Sequence, residues 1–336
     1  MNQSKFSLAD VLSVSSALLF GFVCFLGLNF LKINTEKVWG MDRTTGCIII
    51  ALICASSLFF TAYGAKLLKR TNGNFKTSFV LEVILLILFV SLALFFTTKS
   101  SPFTHYFSVS AQKSAINSKL QKGINQAENM FSAYETYANK RINDYENYLE
   151  GLVAQELTFP PKFKSHGFVP TTNVSSDKQI ATKMFTIRAD LFPPHYSDTI
   201  SGKGIKEVAN DWIQNAKNAP ISWKPIGIVG VVNDIEKNSN QWLDNLVTFS
   251  EKQEQGKQVA DFAYSLSFDN VKTYFTKLNN PTSLSIGLAL LAYGLMLLSW
   301  FVTERSSKSS CGFRALIRAL FLKKQKKRNG DFDIEY

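Results

Sequence analysis

Four apolar runs, each long enough to cross a bilayer and each free of proline, set the first limit on what this chain can fold into. They cover roughly Leu8–Leu31, Gly46–Ala65, Ser78–Phe96 and Ser283–Val302, and about 20 apolar residues span a bilayer as a helix. All nine prolines fall between Pro102 and Pro281. Proline breaks helices by removing a donor and clashing with the preceding turn, so this split predicts helices in the runs and irregular joints between the third and fourth. The fold class expected is an all-α membrane protein: four transmembrane helices plus a mainly helical extracytoplasmic bundle with one long coiled-coil-like helix. The division expected is three spans in 1–97, an outer domain over 98–281, a fourth span in 282–303 and a tail over 304–336.

The net charge of +11 is unevenly placed. Residues 98–281 carry 20 basic and 18 acidic side chains, residues 64–77 carry 4 and 0, and residues 303–336 carry 9 and 4. The excess therefore sits beside apolar runs and not on the large polar block. A nucleic-acid binder concentrates charge on its folded domain, so no nucleic-acid partner is expected. Basic segments stay in the cytoplasm. Lys66, Lys69, Arg70 and Lys76 after the second run, and Arg305 to Arg328 after the fourth, agree on one topology. Both termini are expected inside, and residues 98–281 outside. The first run is longer than a signal-peptide core and lacks a small-residue cleavage site, so an uncleaved span is expected.

Three cysteines lie in apolar runs (Cys24, Cys47, Cys54), Cys311 lies in the tail, and residues 98–281 hold none. The outer domain thus has neither a disulfide framework nor a cysteine zinc site. It must cohere by packing. The absence of disulfides points to a bacterial inner membrane.

Within that domain, Leu120, Ile124, Ala127, Phe131, Tyr134, Ala138, Ile142, Tyr145 and Leu149 recur at spacings of three and four. This is a heptad-like seam, and it predicts one helix from soon after Pro102 to near Gly151–Gln155. Leu120, Ile124, Phe131, Tyr134, Ile142, Tyr145 and Leu149 are the residues expected to pair, either with a second copy or inside one bundle. Further helices are expected over Ser176–Leu191, Lys203–Ala219 (inner face Ile205, Val208, Trp212), Ile228–Gln253 and Lys257–Leu278. A small strand pair near Ile226–Val232 is the minor alternative.

Chemistry is hard to find. His105, His166 and His195 lack a metal-ligand spacing, and no G-x-S-x-G, P-loop or dinucleotide fingerprint occurs. No catalytic residue, cofactor or metal is expected. In the spans, Glu82 stands out as an intramembrane acid, a position that is functional by default. Its depth places it near water and Lys66, Lys69 or Lys76. Ser283, Gly287 and Gly294, with Ala51 and Ala55, have the small-residue spacing of packed membrane helices. The tail reads FRALIRALFLKKQKKR over 313–328. Arg314, Arg318, Lys323, Lys324, Lys326, Lys327 and Arg328 suit an amphipathic helix on anionic lipid.

Four spans with a small first loop and a large helical second loop resemble tetraspanins in layout. The Cys-Cys-Gly motif of that family is missing from 98–281, so the resemblance is one of topology alone. The expected function is a non-enzymatic membrane scaffold or anchor subunit of a cell-envelope complex, with the outer domain contacting proteins or a second copy. The alternatives are a ligand-sensing or signal-relay subunit and an oligomeric ion channel.

Overall fold

The computed structural model describes residues 7–71, 75–154, 165–168, 175–198, 200–254 and 257–305. The basic tail, with Arg314 through Arg328, lies outside the described residues. The chain is mainly helical with almost no strand, and divides into two compact units, 1–111 with 276–336, and 112–275.

The first unit holds four helices long and apolar enough to cross a membrane. These are α1 (Leu8–Leu31), α2 (Arg43–Arg70), α3 (Phe75–Phe95) and α10 (Ser283–Val302), joined by a shorter α4 (Pro102–Ser110). Capping is legible at each start that has one. Ser7 and Asp10 form a reciprocal capping box on α1, Asp42 accepts from Thr44 N–H, and Thr282 accepts from Ser285 N–H. Pro102 occupies the first turn of α4, where its missing N–H costs nothing. Between α1 and α2, β1 (Lys37–Val38) and β2 (Met41–Asp42) make a two-residue hairpin. Trp39 and Gly40 at its tip both have positive φ, 54° and 78°, the backbone hand that matches strand twist.

Close approach is set by small residues. A Cβ on Gly27 would sit 1.8 Å from the Pro102 carbonyl oxygen, so α4 packs directly on the α1 backbone. A Cβ on Gly21 would meet that of Ala55 at 3.0 Å, and Ala51 and Ala55 are buried as the spacing predicted. On α10 the packing face is different from the expected one. Ser285, Ala289, Tyr293, Met296 and Ser299 are buried, whereas Gly287 and Gly294 face open space.

The second unit is built on α5 (Lys113–Ala154), with α6 (Ser176–Leu191), α7 (Ile205–Ile221), α8 (Pro225–Ser250) and a short α9 (Lys272–Thr276). The seam residues Leu120, Ile124, Phe131, Tyr134, Ile142, Tyr145 and Leu149 are all buried within this one chain. The α5 helix packs against α6, α7 and α8, so its heptad face is already occupied. The expected helix from Pro102 is interrupted at Ala111–Gln112, leaving α5 42 residues long, about 63 Å at 1.5 Å per residue.

Two expectations need correction, and one minor alternative falls away. The segment Ile226–Val232 is helical, not a strand pair: Pro225 starts α8 there, three residues before the expected Ile228. The inner face of α7 is Ala209, Ile213 and Ala216, one residue round from the predicted face, and Val208 is half exposed. The predicted helix Lys257–Leu278 forms only over Lys272–Thr276, as α9; the part before it runs extended, antiparallel to α5. Its backbone is held by side chains. Tyr137 donates to the Ala260 carbonyl at 2.7 Å, Ser250 Oγ accepts from Phe262 N–H at 2.7 Å, and Gln126 Oε1 accepts from Ser267 N–H at 3.2 Å. The physical reason is a period of two. Phe262, Tyr264, Leu266 and Phe268 are more covered than the residues between them.

Candidate functional site

Two buried carboxylates of the first unit, Asp10 and Glu82, lie at the end where α1 and α3 begin and α2 and α10 finish. The capping box of α1 aims Asp10 inward, where it is 4 % exposed. Lys66, one turn before the end of α2, reaches it as an ion pair. Ser299 of α10 also donates its hydroxyl to Asp10, and Ser7 N–H donates to the other carboxylate oxygen at 3.0 Å. Three helices thus share one buried carboxylate.

Beside it lies Glu82 of α3, 1 % exposed. The indole N–H of Trp300 donates to Glu82 Oε1 at 3.0 Å and Arg305 Nη2 donates to the same oxygen at 2.8 Å. Glu82 Oε2 is buried with no partner among the described residues. Lys69 donates to the Trp300 carbonyl at 2.8 Å, and its ammonium lies 4.6 Å over the Trp300 ring. Glu82 is therefore buried among the helices and bonded by Trp300 and Arg305 near the start of α3. A buried carboxylate is costly in hydrocarbon and persists where it is paired. The sequence reading missed Asp10 altogether. Its signal was Ser7-x-x-Asp10 ahead of an apolar run, a capping-box spacing.

Away from this end, the bundle interior is filled by rings. Phe20 stacks on Phe103 at 4.8 Å, meets Phe96 edge-on at 5.7 Å and lies 5.8 Å from Tyr293. Phe89 meets Tyr293 at 6.2 Å. Between α1 and α10, Ser13 and Ser16 donate to the carbonyls of Leu295 and Ala292 at 3.0 Å each. These serine hydroxyls are used in helix-to-helix bonds.

In the second unit the buried charges are also paired with each other. Arg141 of α5 donates from Nε to Glu254 Oε1 at 2.5 Å and from Nη2 to Glu254 Oε2 at 3.0 Å. It also donates to the carbonyls of Ser250 and Lys252 and to the Tyr137 hydroxyl. Burial opposes the charge on Arg141, and the bonds to Glu254 and Tyr137 outweigh it and raise its pKa. Nearby, burial pushes the Tyr134 and Tyr196 phenols well above their ordinary value; Tyr196 is raised further by the Glu135 carboxylate it donates to. Among the described residues no three His, Cys, Asp or Glu side chains gather as a metal would require. No family model, no curated protein and no solved structure matches this chain.

Proposed function

We propose that the chain is a non-enzymatic membrane anchor that holds its 112–275 unit on the outer side of a bacterial inner membrane for contact with another component of the envelope. One observation carries the reading: ionisable groups buried in the four-helix unit, Asp10 with Lys66 and Glu82 with Arg305, are engaged with one another at one end. An ion path needs polar groups lining a route, and a transporter needs them near the midplane. The interior away from that end is packed with Phe20, Phe89, Phe96, Phe103 and Tyr293, which favours an anchor over a conduit. The orientation follows from the basic segments flanking α2 and α10, and the tail is expected to rest on anionic lipid.

Labelling and cross-linking test this. Lys203→Cys should react with a membrane-impermeant maleimide in intact cells, while Cys311 should react only after lysis. Cross-linking of intact cells should then give adducts through Lys203→Cys. Labelling of Cys311 from outside, or cation conductance of the reconstituted chain that Glu82→Gln abolishes, would overturn the anchor reading.

A further inference from the structure

Among the described residues of the second unit lie three surface cavities that differ in kind. One of about 360 Å³ is lined by Lys119, Glu236, Asp269 and Lys272 among apolar residues, and Lys119 already pairs with Asp269. One of about 340 Å³ contains Lys183, Asp190, Lys252 and Glu254, of which Lys252 pairs with Asp190 and Glu254 with Arg141. The third, about 280 Å³, lies between α7 and α8 and is nearly free of charge. We propose that this third groove binds a neutral oligosaccharide.

Its α8 wall carries Asn238, Gln241 and Asn245. Their spacing of three and four puts them in a row on one helix face, about 10 Å from first to last at 1.5 Å per residue. None of the three has a hydrogen-bond partner in the protein among the described residues, and Gln241 is exposed. The α7 wall carries Ile205, Val208 and Trp212, and Trp242 closes the floor with its ring 5.7 Å from that of Trp212. Val208 is half exposed, so an apolar surface is left open beside the amides.

A side-chain amide offers both donors and an acceptor. A sugar hydroxyl does the same, and a pyranose ring also presents a C–H face that packs on aliphatic and indole surface. A groove with an amide row on one wall and an apolar opposite wall matches both properties at once. Lys203 is the one ionisable liner, so nothing in the groove attracts a cation, three neutral amides outnumber the single charge, and a purely apolar ligand would leave the amides unsatisfied. Side chains before Lys203 are tied to the backbone and to Glu207. Asp198 accepts from the N–H groups of Ile200 and Ser201 at 3.1 and 3.0 Å, and Glu207 accepts from Ser197 Oγ and Asp198 N–H. This loop presents Ile200, 99 % exposed, three residues before Lys203.

The proposal rests on the outward orientation given above and names the envelope component as a glycan. The test uses the full chain in a polyoxyethylene detergent, because glycoside detergents would compete. N-acetylglucosamine tetramer, maltotetraose and a neutral tetrapeptide amide are titrated by calorimetry, with tryptophan emission read in parallel. One tetrasaccharide should bind saturably and shift the emission. Gln241→Ala and Asn238→Ala should each weaken it about 3- to 10-fold, the loss of one or two hydrogen bonds. Trp212→Phe should retain binding better than Trp212→Ala. Gln241 is exposed, so its variant reads binding without unfolding. Absence of sugar binding by the folded chain up to about 10 mM, binding indifferent to both amide variants, or capture of the peptide alone would overturn the proposal. A failure here leaves the maleimide and cross-linking results standing, so the two readings fall separately.

Discussion

Arg141 should be the most sensitive single position of the second unit, and more sensitive than its partner Glu254. Their side chains are 2 % and 0 % exposed. Removing one member of a buried ion pair typically costs about 3–5 kcal/mol, because the other charge is left without compensation. Glu254→Gln leaves the Arg141 guanidinium charged. It still bonds the Ser250 and Lys252 carbonyls and the Tyr137 hydroxyl, so the cost belongs at the low end, about 3 kcal/mol. Arg141→Met does more. It strands the Glu254 carboxylate and also removes the donors to two carbonyls of the turn after α8, each worth roughly 1 kcal/mol when bonded. The sum is about 5–6 kcal/mol for a unit of this size.

At about 2–4 °C per kcal/mol, Glu254→Gln should lower the unfolding midpoint by roughly 6–12 °C and Arg141→Met by roughly 10–24 °C. The assay is thermal unfolding of the full chain in detergent, followed by tryptophan emission, to which Trp212 and Trp242 of this unit contribute. The double variant Arg141→Met/Glu254→Met removes both charges. It should regain most of the ion-pair penalty but not the carbonyl bonds, and so fall between wild type and Glu254→Gln. Trypsin supplies a local reading, since the extended segment after Glu254 is pinned to α5 next to this pair. Cleavage at Lys257 should accelerate in Arg141→Met well below its midpoint. Equal shifts for the two single variants, or a double variant worse than Arg141→Met, would refute the argument.

Asp10→Asn should destabilise the first unit by about 3–5 kcal/mol, because Lys66 is left charged and buried; adding Lys66→Met should restore most of the loss, read as the detergent unfolding midpoint. Gly27→Ala places a methyl group against the Pro102 carbonyl and should cost at least about 3 kcal/mol, at the upper end of overpacking penalties, measured the same way. Tyr134 and Tyr196 stay protonated in the folded chain above the ordinary phenol value of 10.0. A folded pKa raised above the unfolded one gives stability that is complete below pH 10 and is lost as pH climbs past it. Absorbance at alkaline pH should therefore show a set of phenols, these two among them, that ionise only as the unit unfolds; smooth ionisation near pH 10 of all tyrosines in a chain still folded would count against this.

The second unit shows where pattern reading succeeds and where it stops. The seam from Leu120 to Leu149 was legible because many apolar positions repeat one period, and burial follows it. The extended segment was misread because Val259, Phe262 and Leu266 fit a helical spacing by chance. The competing alternation of Phe262, Tyr264, Leu266 and Phe268 was equally present in the letters. What decides between them is tertiary. Gln126, Tyr137 and Ser250 stand ready to satisfy an extended backbone, and these partners lie 12 to 141 residues away. Arg141 and Glu254 were invisible for the same reason: a separation of 113 residues carries no local signature. The basic tail, the strongest short motif in the sequence, falls outside the described residues.

Span α3 offers the reverse case. It is apolar on every side, so amphipathicity cannot say which face turns inward. Only 11 % of its most apolar stretch is buried, and its rotation must be fixed by a few contacts. Glu82 supplies the strongest, because a carboxylate that faced lipid would meet no donor. Counting from Glu82 in sevens gives Phe89 and Phe96, and these three are 1 %, 2 % and 5 % exposed. Seven residues are close to two helical turns, so the acid and the two rings lie on one side. Phe89 reaches Tyr293 and Phe96 reaches Phe20 from that side. Read this way, the lone acid was informative in the sequence as a marker of the buried face, from which the inward positions of Phe89 and Phe96 follow by spacing alone. Its partners Trp300 and Arg305, 218 and 223 residues away, follow from no spacing. They depend on α10 ending at the same level at which α3 begins.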